Sequence, residues 1–117
     1  MSDLPAVAYK VLTGPQMAEL EDARLFKGAP IDLADGYIHL STLTQLTETV
    51  DKHFAGQRDL HVVAVDLEAL GDAVKWEPSR GGQLFPHIYT DLPLNVVLAY
   101  GPLERDADGN VLTPVAG

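Results

Sequence analysis

The stretch Leu60-His-Val-Val-Ala-Val-Asp66 constrains the fold more than any other. Val62, Val63, Ala64 and Val65 form an unbroken apolar run. A strand with one wet face alternates apolar and polar residues. A run without alternation fits a strand buried on both faces. Crossing a bilayer takes roughly 20 apolar residues, and no run here approaches that.

The flanking elements are short and change type. Ala8 to Leu12 is a strand candidate, with Tyr9, Val11 and Thr13 on one face. Thr13-Gly-Pro-Gln16 has capping-box spacing, so a helix is predicted from Pro15 to Arg24 with Met17 and Leu20 inward. Asp32-Leu-Ala-Asp-Gly36 reads as a turn and Tyr37 to Ser41 as a second strand. Thr42 and Gln45 repeat the capping spacing. Leu43, Leu46, Val50 and Phe54 then mark one apolar helix face, ended by Gly56. Leu67 to Asp72 reads as a helical turn, and Ala73–Trp76, Phe85–Thr90 and Asn95–Tyr100 as strands. Asp91-Leu-Pro93 turns between the last two, and Asp106 to Asn110 closes a small hairpin. About two helices and six strands in this order suggest an α+β single domain over residues 1–117.

The charge balance narrows the partners. Eight Lys and Arg against 17 Asp and Glu give a net charge of −9 at pH 7. A nucleic-acid surface and an anionic membrane are both disfavoured. A small anionic ligand needs only one or two placed cations and stays open. The chain has no Cys, which removes disulfides, thiolate nucleophiles and Cys-based zinc sites. The first ten residues lack the basic start and apolar core of a signal peptide, so a cytoplasmic location is expected. Oligomeric state is not legible.

Chemistry concentrates in two stretches. On the Tyr37–Ser41 strand, Ile38 and Leu40 share one face and Tyr37, His39 and Ser41 the other. His39 exchanges a proton near neutral pH without a large shift. The plain alternative is a half-buried His bonded to backbone, with Ser41 and Thr42 as helix caps. The second stretch runs from Lys75 to Tyr89 and holds Trp76, Glu77, Arg80, Gly81, Gly82, His87 and Tyr89. Phe85, His87 and Tyr89 share a face, which repeats the His and Tyr alternation. Arg80 beside two glycines suits a phosphate, although most such loops are only turns, and a lone Trp is more often core. His39, His87 and Glu77 also have the chemistry of a metal site, without short-spaced ligand pairs. His53 suits a helix end through the dipole, and His61 opens a strand.

Taken together, Tyr9-Lys-Val-Leu-Thr13, Asp32-Leu-Ala-Asp-Gly-Tyr-Ile-His-Leu-Ser-Thr42 with Gln45, Trp76-Glu-Pro-Ser-Arg-Gly-Gly82 and Phe85-Pro-His-Ile-Tyr89 resemble a known family. It is the small bacterial family catalogued as domain of unknown function 952, and the likeness runs over about residues 9–102. Residues 103–117 are left as a short hairpin or tail. The resemblance implies an ADP-ribosyltransferase-like fold: a split, mixed β-sheet with about two main flanking helices and a groove that in relatives holds NAD. Those relatives draw an Arg or His from one strand, a Ser or Tyr from a second and a Glu from a third. Here the first strand offers Tyr9 and Lys10, the second His39 and Ser41, and the last strands His87 and Tyr89 without a Glu. Glu77 is the nearest carboxylate.

The leading expectation is a groove for NAD or another small anionic, nucleotide-like ligand, with transfer or hydrolysis at an N-glycosidic bond. His39, Glu77 and His87 are its candidate catalytic residues. Lys10, Tyr37, Ser41, Trp76, Arg80 and Tyr89 are its candidate ligand-binding residues. No resident metal or cofactor is assigned. The competing expectations are a non-catalytic interaction module and a metal-dependent or acid–base hydrolase on His39, His87 and Glu77.

Overall fold

Leu60–Asp66 is a strand along its whole length, and Val62 to Val65 are all buried. The structure is a computed structural model that describes residues 4–114, with the backbone alone for Arg80. The first three and last three residues of the expected domain lie outside the described ones. In chain order the first elements are β1 (Val7–Thr13), α1 (Gly14–Ala23), β2 (Leu25–Phe26), α2 (Pro30–Asp35), β3 (Ile38–His39) and α3 (Leu46–His53). There follow β4 (Leu60–Asp66), α4 (Leu67–Leu70), β5 (Val74–Pro78), β6 (Leu84–Ile88), β7 (Leu92–Pro93) and β8 (Val97–Pro102).

β4 is the middle strand of a three-stranded sheet, in the order β1-β4-β8. Apolar layers cover both of its faces. Val63 and Val65 join Ala8, Leu12, Met17, Leu20 and Ile88 in one cluster. Val62 and Leu60 join Val11, Leu46, Val50 and Val111 in the other. α1 supplies the first layer and α3 the second. Each fully buried Val contributes roughly 1.5–3 kcal/mol, which explains why the run tolerates no polar residue.

A second sheet, β3-β6-β5, carries the candidates His39, Glu77 and His87, and β2 pairs with β7 in a two-stranded ribbon. A bridge between Tyr9 and Ser41 stitches the two larger sheets together, with N–H to O distances of 2.7 and 2.8 Å. The α+β class holds. Every ladder among the described residues is antiparallel, where the resemblance implied a mixed sheet.

Local signals explain several boundaries. The Thr13 and Gln16 capping box is complete, with N–H to O distances of 2.9 and 3.3 Å. The Thr42 and Gln45 pair makes only half a box. Gln45 Oε1 accepts the Thr42 N–H at 3.0 Å, but the Thr42 hydroxyl meets Thr44. The helix therefore starts later, at Leu46, and leaves Leu43 in the preceding turn, exposed and off the apolar stripe.

Other expectations are corrected. The predicted turn at Asp32–Gly36 is the short helix α2. Pro30 presets its first turn, Asp32 accepts the Ala29 N–H at 2.7 Å, and Gly36 ends it at φ 89. Asp91-Leu-Pro93 holds strand β7, because it finds β2 across the molecule. Among the described residues four α-helices and eight strands replace the expected two and six, since two-residue strands leave no periodic trace. The terminal hairpin closes as expected by pairing Arg105 with Val111. No helix among the described residues is long and apolar enough to cross a membrane.

Candidate functional site

β3 and β6 place His39 directly opposite His87. Their ring centroids lie 5.3 Å apart, with the planes at 70°. Tyr37 precedes His39 by two residues and so shares its face. It stacks on His87 at 4.1 Å and tilts against His39 at 4.7 Å. Tyr89 stands beside it at 5.2 Å. The two alternations read from the sequence thus meet as one aromatic and imidazole surface.

β5 brings Glu77 to this surface from the far side of β6. Glu77 Oε1 accepts the Tyr89 hydroxyl at 2.7 Å and faces His87 Nδ1 at 2.8 Å. The Tyr89 bond, followed by the His87 bond, holds the Glu77 carboxyl below the usual carboxylate range. The same carboxylate pushes the Tyr89 phenol up to about 12. Burial, then the charges of Asp35 and Glu77, raises the Tyr37 phenol. Both phenols stay protonated donors at neutral pH.

A second network grips His39. Its Nδ1 lies 2.6 Å from Asp32 Oδ1, and its backbone N–H donates to the same oxygen at 3.1 Å. Its Nε2 lies 2.9 Å from Asp35 Oδ2. Both ring contacts are satisfied together only when both nitrogens carry protons, because a carboxylate only accepts. Asp32 is 2% exposed and also holds Lys10 Nζ at 2.9 and 3.0 Å. Burial would raise the Asp32 pKa, but the His39 bond and the Lys10 charge outweigh it and bring it to about 2. Lys10 lies on the β1 face that carries Ala8 and Leu12 into the core, so its amine is buried. That burial lowers its pKa, against the pull of Asp32.

A cleft of about 510 Å³ opens beside these networks, within the size range of small-molecule sites. Lys10, Asp35, His39, Ser41, Ser79 and His87 line it, with Tyr9, Thr49, His53 and Phe85. His87 lines the cleft at 3% exposure, and among the described residues no buried side-chain polar atom lacks a partner.

The structure brings His39, Glu77 and His87 together, with Tyr37 and Tyr89. Lys10, Ser41 and Trp76 have other partners. Lys10 lines the cleft but is committed to Asp32, which leaves no spare charge for a phosphate. Ser41 is buried, and its hydroxyl pairs with Thr49 at 2.7 Å. Trp76 packs against the first core cluster, since alternation turns it away from the Glu77 face of β5. The side chain of Arg80 lies outside the described residues. Sequence reading missed Asp32 and Asp35, which it treated as turn residues, and it read His53 only as a helix-end cation. Among the described residues no group of three acids and imidazoles is placed to hold a metal ion. The nitrogens of His39 and the Nδ1 of His87 already face carboxylates.

Residues 11–100 match the model of a family described as "Protein of unknown function (DUF952)". Three solved structures of protein CC0527 from Caulobacter crescentus are similar to the chain at 42% identity. The crystal structure superposes with a TM-score of 0.83, covering 91% of this chain and 93% of that one. A double mutant gives a TM-score of 0.82 at the same coverage. The solution NMR structure gives 0.77, with 92% and 91% covered. No curated protein matches the chain.

Proposed function

The chain belongs to the DUF952 family of proteins of unknown function, and from that premise we propose that its cleft binds a small nucleotide-like ligand and performs acid–base chemistry on it. The observation that carries this reading is the Glu77–His87 pair. Glu77 faces Nδ1 of a nearly buried imidazole that lines the cleft. A carboxylate on Nδ1 fixes the tautomer, leaves Nε2 as a proton acceptor and stabilises the imidazolium that forms.

The resemblance to ADP-ribosyltransferase-like proteins names NAD as the first ligand to try. Hydrolysis would break the bond between the ribose C1′ and the nicotinamide nitrogen, and the electron pair would leave with neutral nicotinamide. Water would add to C1′ and lose its proton to His87 Nε2, which returns it to solvent. The sugar carries positive charge as the bond breaks, and the Asp35 carboxylate lines the cleft with the matching sign.

Calorimetry with NAD and ADP-ribose, joined to a nicotinamide-release assay, tests the reading. Binding at sub-millimolar ligand and release that falls at least a hundredfold in His87→Ala is the expected result. Binding without release would leave a non-catalytic module. No heat at millimolar ligand, with His87→Ala the same as wild type, overturns the reading altogether.

A further inference from the structure

We propose that Nε2 of His39 is the oxyanion subsite of this cleft, and that Asp35 occupies it until a ligand's anionic oxygen takes its place. The inference rests on the cleft's being a ligand site and adds where the ligand's negative charge goes. The difficulty it resolves is that Lys10, the cation the sequence offered for a phosphate, is already paired.

The two sides of the His39 ring differ in permanence. On the Nδ1 side, Asp32 is 2% exposed and receives Lys10, the Ala29 N–H, the His39 N–H and the ring itself. These bonds fix the ring plane, and an entering ligand has no access to them. Lys10 cancels the Asp32 charge, so among the described residues the partner of Nε2 is the only carboxylate on this ring that faces the cleft unpaired by a lysine. That partner is Asp35, whose side chain is 42% exposed. It lies at the end of α2, next to Gly36, and lines the same cleft as His39.

A partly exposed ion pair of this kind contributes little. A phosphate or carboxylate oxygen at the same distance makes an equivalent charge-assisted bond to Nε2. Exchange is therefore inexpensive on this side and prohibitive on the other. Asp35 also repels any second anion at the cleft mouth, which makes it a filter. A ligand without an anionic group gains nothing by displacing it.

The experiment titrates inorganic phosphate, and separately acetate, into wild-type protein and Asp35→Asn. It follows the imidazole nitrogens by ¹H–¹⁵N NMR. Both anions are expected to shift the His39 Nε2 resonance first. Asp35→Asn is expected to bind either anion about two- to fivefold tighter, because the internal competitor has lost its charge. Phosphate without acetate would assign the subsite to phosphoryl groups, and equal binding to anionic oxygen in general. The exposed Asp35 can be replaced without unfolding the chain. His39→Gln, checked for a folded spectrum, is expected to lose the effect. Equal or weaker binding by Asp35→Asn overturns the proposal, as does a phosphate response that spares His39. Neither outcome touches the NAD and His87 measurements, so the subsite can fail while the cleft's function stands, and the reverse.

Discussion

His39 and His87 are cross-strand neighbours with opposite surroundings, and the contrast assigns their parts. His39 sits between two carboxylates, one buried and charge-balanced by Lys10, the other exposed. His87 is itself the buried member of its pair, with a single carboxylate, Glu77, at the surface. In the first arrangement a carboxylate faces each ring nitrogen. In the second a carboxylate faces Nδ1. Residue type made both candidates, and only the partners tell them apart.

The most severe way to break the contrast is to remove the buried acid. Asp32→Asn leaves Lys10 buried without a counter-charge and is expected to cost about 3–5 kcal/mol in urea unfolding. A loss below about 1 kcal/mol would mean that the pair is not buried as described. Glu77→Gln attacks the other arm. It should leave the fold intact and reduce turnover of an NAD-type ligand on the order of a hundredfold, because an amide no longer stabilises the imidazolium. Unchanged turnover with unchanged stability would strip His87 of its assigned role.

Acid sharpens the difference. The folded-state pKa of Asp32 is depressed to about 2, so its contribution is fully present above roughly pH 4 and is lost as pH falls toward 2. The depression is worth about 2 kcal/mol of stability across that window, and Asp32→Asn should flatten the pH profile there. Tyr89→Phe has the smallest expected effect. Without the phenol donor, Glu77 loses the largest cause of its lowered pKa, so the acid limb of any activity profile should move to higher pH. Stability near neutral pH should be unchanged, and a limb that stays in place would separate Tyr89 from the Glu77–His87 pair.

Much of this site was legible as alternation. Tyr37 with His39, and His87 with Tyr89, share faces because strand side chains repeat every two residues. What alternation could not supply is the partner. Asp32 looks like a turn residue in a stretch that ends Asp-Gly, yet a short helix tucks it beneath β1, 22 positions from the lysine it neutralises. Lys10 was visible as a cation inside a family-like motif, and its commitment was not. Trp76 and Glu77 are adjacent in the chain and end on opposite sides of β5. Position within a motif therefore says nothing about which of the two meets a ligand.

By itself the amino-acid order determined the doubly buried strand at Val62–Val65, the capped start of α1, the α+β class and the alternating faces of the two His-bearing strands. These follow from local periodicity and from hydrogen bonds between residues three or four apart. Only the tertiary structure decided that the two faces meet, that Asp32 and Asp35 clasp one imidazole, and that Glu77 orients the other. Those choices depend on contacts between segments distant in the chain, where pairing and burial outweigh any local preference.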